Sequence, residues 1–457
     1  MSRKEIPTRP GPRTLLALAT LLGALGLVLP TRTRAWTLLG GELDLSQRDF
    51  RVYNNFSDAQ ANDNTDPDLN FPGATGAVLA IWKACVEWSS ELHGDGGGDP
   101  HQPFDIGSGG ANFDPSFQGQ ADTIGNTNAN VVSEIHSYGG GTLAYTELPI
   151  ADGWRIRYFQ DPTVWHDGPG EITGGGEQVD IQGIATHEFG HALGLGHSTV
   201  PGATMATLST NHYIPMRSIE ADDQAGIQYL YGVKAAGKPH ITTYTLAAGS
   251  VTINGSDFDA TNNEIWFTPA APGGDGTPLT VTGVTSAAGG TTLSVTIPAA
   301  AGPGDVLVKR PGLDHAALSN PFPFDPQREP CASPNAYGAA KTTSFGSIPN
   351  LGASGYGSAV TDDLVLEVYG GTMNGLGILF SGPAPMSQPR FGGTIHVAPP
   401  YVREALFQFS FVGMAELPVA ADPALLGTTR YYQVWFQDAG DAFGVGLTNG
   451  LEVPFCP

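Results

Sequence analysis

The sequence predicts an α+β domain followed by two all-β sandwich domains. Three observations carry that expectation. Apolar residues at helical spacing occur clearly in three segments, all in the first half of the 457 residues. The 62 glycines and 36 prolines are spread along the chain and favour short strands and many turns over a helical protein. Beyond Gly232 the pattern is one of short alternating strands. At roughly 100 to 200 residues per domain, the length suits two to four such units.

The first 35 residues stand apart. Arg3, Lys4, Arg9 and Arg13 precede an apolar run from Leu15 to Leu29, which is short for a bilayer span of about 20 residues. Thr33 and Ala35 offer small side chains for processing before Trp36. The expectation is a secretory signal peptide over residues 1–35, a secreted or cell-surface destination, and no stable membrane insertion after cleavage. Six of the 21 Lys and Arg and one of the 44 Asp and Glu fall in this segment. The remainder therefore holds 15 basic and 43 acidic residues, a net charge of −28. Such a balance argues against nucleic acid and anionic membrane as partners.

Three helices follow in order. The first has its stripe on Val78, Ile81, Trp82, Cys85, Trp88 and Leu92, with Gly94 as the stop; Cys85 on that stripe reads as a core thiol. The second carries Ile181, Ile184, Ala185, Ala192 and Leu195, with Gly194 and Gly196 at its end. The third runs from about Ile219 to Tyr231 and closes at Gly232. Lys234 to Pro239 reads as a linker and Asp325 to Pro330 as a second break. The expected domains are residues 36–233, 238–325 and 329–457.

The second helix holds the chemistry, in the run His187-Glu188-Phe189-Gly190-His191-Ala192-Leu193-Gly194-Leu195-Gly196-His197. His187 and His191, four apart, leave the same helix face one turn apart and can hold one zinc ion. Gly194 lets the chain leave the helix so that His197 returns as a third ligand. Three neutral imidazoles leave a fourth position for water, and Glu188 beside the first ligand can take its proton as general base. Five specified residues at fixed spacing arise by chance with a probability on the order of 10⁻⁴.

This run resembles the metzincin zinc signature, and Met205, eight residues after His197, fits the methionine-bearing turn that follows the third histidine in those enzymes. Ser198 directly after His197 and the run Asp222 to Gly232 make residues 36–233 similar to the matrixins, the family of the matrix metalloproteinases. The resemblance implies a twisted, mostly parallel sheet with three helices, and a zinc endopeptidase acting on protein or peptide substrates. It also implies Met205 as an apolar floor below the metal. Two departures stand out. No propeptide cysteine that caps the metal is visible, and Leu143-Ala144-Tyr145 stands where family members often have a Leu-Ala-His segment binding a second, structural zinc. One catalytic zinc is therefore expected. His93 and Asp95, part of another likeness to that structural site, read as a surface loop, and His101, His136, His166 and His212 as solvated or hydrogen-bonded imidazoles.

Calcium is a further candidate cation for the Asp, Asn and Gly residues between Asp58 and Asp68 or between Asp95 and Asp122, where turn formation explains the same residue types. Residues from about Pro239 to Asp325 resemble the immunoglobulin-like IPT/TIG family through Val251 to Phe258. The last region has aromatic alternation at Tyr431 to Phe436 that suits a sandwich core, with exposed aromatic sugar binding as the alternative. These β-domains are candidates for attachment to a surface or polysaccharide. Cys331 and Cys456 bracket the last domain and are a candidate disulfide. A rival reading is a surface-binding or structural protein whose peptidase module is inactive or rarely used. The intact set of His187, Glu188, His191, Gly194 and His197 argues against it.

Overall fold

The computed structural model describes residues 35–46, 49–92, 108–148, 152–168, 172, 178–207, 211–274 and 276–456. The expected signal peptide, apart from Ala35, lies outside the described residues, as do His93, Asp95 and His101. Residues 36–457 form one compact unit. No helix among the described residues is long and apolar enough to cross a membrane.

The first region is a mixed sheet with three α-helices. Strands β1 (Asp49–Tyr53), β2 (Ser116–Gln120), β3 (Val131–Tyr138), β4 (Ala144–Glu147) and β5 (Arg155–Asp161) lie in the order β2-β1-β3-β5-β4. Pairing is parallel throughout except between β4 and β5. The short strands β6 (Val164–His166) and β7 (Gln178–Asp180) pair with each other. Helix α1 (Gly76–Val86), α2 (Ile181–Ala192) and α3 (Ala221–Tyr231) contribute to one core that includes Phe50, Trp82, Trp88, Phe189 and Ile227.

Helix α1 ends earlier than its stripe. All but Lys83 of its residues are buried, so it has no solvent face, and after Val86 the chain turns, with Trp88 N donating to Cys85 O. The Trp88 indole instead reaches across to α2, donating to Thr186 O at 3.0 Å. Helix α3 starts at Ala221, where Glu220 and Asp223 form a reciprocal cap, with side chains and backbone N–H groups satisfying each other.

The second region has strands β8 (His240–Ala247), β9 (Ser250–Ser256), β10 (Asn263–Pro269), β11 (Leu279–Val284), β12 (Thr292–Thr296), β13 (Ala301–Lys309) and β14 (Phe322–Phe324). They form two sheets, β11-β10-β13-β14 and β12-β9-β8, that share a core of Ile241, Ile253, Phe267, Val306 and Phe324.

The third region has β15 (Asn335–Tyr337), β16 (Asn350–Ser354), β17 (Gly357–Ser358), β18 (Val365–Tyr369), β19 (Leu376–Gly382), β20 (Pro385–Arg390), β21 (Gly393–Val397) and β22 (Val402–Gln408). It continues with β23 (Ala415–Pro418), β24 (Thr428–Gln437), β25 (Val445–Leu447) and β26 (Gly450–Cys456). Its main sheet runs β15-β26-β24-β19-β22, and β16-β18-β23 closes over the same core. Cys331 and Cys456 are bonded, with Cα atoms 5.7 Å apart, and Cys85 is free and buried.

The junctions differ from the linkers expected at Lys234 to Pro239 and Asp325 to Pro330. Lys238 is buried; its ammonium pairs with Asp114 at 2.7 Å and donates to Asn112 O and His315 O. A long stem with a three-donor head lets a residue typical of linkers satisfy a buried site. At the second junction the Tyr244 hydroxyl donates to Arg328 O at 2.7 Å and accepts from Asp325 N. The outer edge of β2 is covered too: Phe117 N donates to the Asp305 carboxylate at 3.0 Å, and Thr268 Oγ1 donates to Phe117 O at 2.8 Å. Side chains of the second region thereby complete hydrogen bonds that an edge strand leaves open.

Candidate metal centre

Asp180 caps α2 by accepting from Gly183 N at 2.7 Å. It is also held by Arg217 through two charge-assisted bonds, of 2.9 and 2.5 Å, with both side chains buried. The start of the helix is therefore fixed against the wall segment that follows the methionine. At the other end Gly194 has φ +104°, a left-handed conformation, and a Cβ there would meet Gly41 O at 2.8 Å. The turn brings His197 back toward the helix. One ring nitrogen from each of His187, His191 and His197 lies within 4.8 Å of the others, and among the described residues this is the one group of three or more such side chains.

The imidazoles are prepared as ligands. His187 Nδ1 lies 2.6 Å from Thr204 O and His191 Nδ1 lies 2.8 Å from Leu195 O. A carbonyl accepts only, so each Nδ1 carries the proton and each Nε2 keeps its lone pair. Burial, and then the neighbouring His191, push the pKa of His187 down to about 3, and burial also lowers that of His191. Both are neutral at physiological pH, as metal ligands must be. The triplet fits a zinc site in donor type, spacing and tautomer.

Met205 is fully buried, and a Cβ on Gly190 would lie 2.1 Å from its sulfur, so only glycine allows this methionine under the helix. Its turn is held from α3: Asp223 accepts from Thr204 N, Met205 N and Glu220 N at 2.7 to 3.0 Å. Ser198 Oγ donates to Asp222 at 2.6 Å, and Ser198 N to Met205 O at 2.8 Å. The Asp222-Asp223 pair thus ties the third histidine and the methionine turn to one helix end. Thr37 braces the same turn by donating to His197 O at 3.0 Å.

Glu188 is buried beside His187 and lines a cleft of about 750 Å³ with all three histidines, Leu143 to Thr146 of the β4 edge, Ile184, Tyr213 and Met216. Burial pushes its carboxyl up to about 7, and a hydrogen bond from Thr146 opposes that shift. The Thr146 hydroxyl lies 2.8 Å from Glu188 Oε2 and 2.9 Å from Glu188 O. It is a positioning residue that sequence spacing could not reveal, because strand and helix are 42 residues apart. Tyr145 donates to Glu147 at 3.3 Å, and burial, then the Glu147 carboxylate, raise its pKa, so its phenol stays protonated.

The far wall is the 3₁₀ segment Asn211–Arg217, in which His212 and Tyr213 have φ of 56° and 69°. His212 Nδ1 lies 2.7 Å from Gln178 O, and the Tyr213 carbonyl sits where a Cβ on Gly183 would be, at 2.2 Å. In the Asp58 to Asp68 stretch, Asp58 accepts from Trp165 N and Asp68 pairs with Lys83, the turn and ion-pair roles open to these residue types. His136 is hydrogen-bonded to Gln160 at 3.0 Å.

Residues 110–232 match the family model described as Matrixin. The match starts later than the resemblance read from residue 36. Mouse matrilysin is 41% identical over 93 residues, covering 20% of this chain and 33% of that protein. Human matrix metalloproteinase-25 is 37% identical over 110 residues, covering 22% and 18%. The hatching enzyme of Paracentrotus lividus is 36% identical over 104 residues, covering 23% and 16%. The chain thus spans a third or less of the length of these relatives. A solved structure titled as a tetra-tandem repeat in the extending region of a large adhesion protein overlaps 47% of this chain and 49% of that one, at 14% identity and a TM-score of 0.15, too low to support a likeness in fold.

Proposed function

We propose that this protein is a secreted zinc-dependent endopeptidase of matrixin type. The observation that carries the reading is the convergence of His187, His191 and His197 on one point of a cleft that Glu188 also lines. Zinc, when bound there, supplies a Lewis acid and lowers the pKa of a bound water to about 7. Glu188 takes the proton from the attacking water and returns it to the departing amine. Thr146 holds one oxygen of that carboxylate, leaving the other for the proton. Met205 forms the floor beneath the histidines.

The cleft suits an extended peptide. β4 is an edge strand that lines it, so a substrate strand can pair with β4 while a side chain enters between Ile184, Tyr213 and Met216. Residues 238–325 are read as an IPT/TIG-like immunoglobulin-fold module and residues 329–457 as a C-terminal sandwich, both serving attachment or substrate capture outside the cell. Calcium would be a structural addition.

The test is a profile of peptides cleaved from a mixed proteome by the secreted chain, with Glu188→Ala as control. Cleavage that a chelator abolishes and the control lacks supports the proposal. Equal cleavage by the control, or none by either protein with zinc bound, overturns it.

A further inference from the structure

The strongest unassigned feature lies in the third region, on the face of its main sheet that points away from the core. On β19 the residues Leu379 and Ser381 are buried, whereas Ile378 and Phe380 face the other way. Ile378 pairs directly with Trp435 of β24, and Phe380 with Arg403 of β22. These side chains floor an open cleft of about 420 Å³, walled by Arg390 from β20 and by Tyr401. Alternation calls for polar residues on a solvent face of such a sheet, so an aromatic floor there is unexpected.

The charge is as unusual as the apolar floor. Residues 329–457 contain four Lys and Arg against ten Asp and Glu. Lys341 pairs with Asp441, and Arg430 lies 3.8 Å from Glu404. The other two, Arg390 and Arg403, both line this cleft, and neither has an acidic partner among the described residues. Arg390 lies over the Phe391 ring, 5.1 Å from its centre. In a chain of strong negative charge, this is a local site of positive potential.

The cleft adjoins an open edge. β22 ends the sheet, pairs with β19 alone among the described residues, and shows a bulge at Glu404 followed by the regular run Ala405 to Gln408. Leu406 on that run is 68% exposed. An unpaired edge offers a row of main-chain donors and acceptors that an extended polypeptide can satisfy and a polysaccharide cannot. The cleft lining also lacks the carboxylate and amide side chains that would grip the hydroxyls of a neutral sugar.

We propose that β22 and the cleft beside it form a docking site for an extended acidic peptide segment. The segment adds as a strand to β22 and, on the face that opens on the cleft, sets an apolar side chain beside Leu406 and its carboxylates toward Arg403 and Arg390. The site is separate from the histidine-lined cleft and does not depend on its chemistry.

The experiment uses the full chain carrying Glu188→Ala, so that bound peptide stays intact, and a fluorescent heptapeptide with leucine and aspartate taking turns at every second position, the set that shares one strand face, and serine between them. Binding is expected, and a counterpart with lysine for aspartate should bind at least tenfold more weakly. Arg390→Ala with Arg403→Ala should weaken the acidic peptide at least tenfold, as should N-methylation of its backbone. No binding overturns the proposal. So does binding that survives the double substitution, the result expected of capture in the histidine-lined cleft. Equal affinity for the N-methylated peptide, with displacement by polygalacturonate, would make the cleft a general polyanion site and also overturn strand addition.

Discussion

Buried charge gathers in two regions of this molecule, and it serves different ends in each. Around the histidine cleft, Asp180, Arg217 and Asp223 are turned onto helix ends and turns, where they fix the geometry of other side chains. At the junction with the second region, Lys238, Asp114 and Asp305 reach across to backbone groups of a different region, or to each other. The first set orients a site; the second holds two cores together. The difference teaches that a side chain facing the histidines, such as Glu188 or Thr146, should affect chemistry more than stability when replaced, and a junction charge the reverse.

The sharpest test is Glu188→Ala. Loss of the proposed base should lower turnover on a fluorogenic peptide by about 10³-fold, with zinc content and thermal unfolding unchanged. A stability loss of the same size would dissolve the contrast. The counterpart is Lys238→Met, which strands Asp114 in a buried site and should cost about 3–5 kcal/mol. Denaturant unfolding measures that cost, and activity per folded molecule should hold.

A finer test falls on Thr146. Thr146→Val removes the hydroxyl and leaves Glu188 less well held, which should lower kcat about tenfold, as expected for about 1.4 kcal/mol, with KM little changed. Thr146→Ser should restore most of it. An unaltered kcat would remove Thr146 from the site.

The smallest expected effect is a change in pH dependence at the junction. Burial raises the Asp305 carboxyl well above its ordinary value, and nearby Asp114, raised by burial to about 6, adds to it. A carboxyl raised in the folded state binds its proton more tightly there than when unfolded. Its contribution is therefore favourable at low pH and is lost as pH rises through the folded value. Asp305→Asn keeps an acceptor for Phe117 N without the charge. It should raise the melting temperature at pH 8 and leave it nearly unchanged at pH 3, below the carboxyl's ordinary value. An equal shift at both pH values would show that ionisation of Asp305 carries no cost.

What could be read in advance depended on how local the cause was. α2 and its histidines follow from spacing within eleven residues, and the three helices occur where their stripes lie. α1 ends before its stripe does because Trp88 continues the periodicity but donates its indole N–H to Thr186 O. The burial of Lys238 is not legible in its segment because composition records flexibility and not partners, and Lys238 finds its three acceptors in segments distant in the chain. Asp222 and Asp223 were legible only as members of the third helix. Their hold on Ser198 and Met205 was not.

By itself the sequence determined the elements whose cause is periodic or local: the three helices, the change to strands after Gly232, and the histidine triplet with its glycine exit. A helix repeat of 3.6 residues and the conformational freedom of Gly194 act over a few positions, so residue order suffices. Only the tertiary structure decided that Thr146 faces Glu188, that α3 holds the methionine turn, that Asp305 and Thr268 complete the β2 edge, and that Arg390 and Arg403 meet beside β22. Each of those contacts joins segments far apart in the chain, and which buried donor meets which acceptor is settled by packing rather than by spacing.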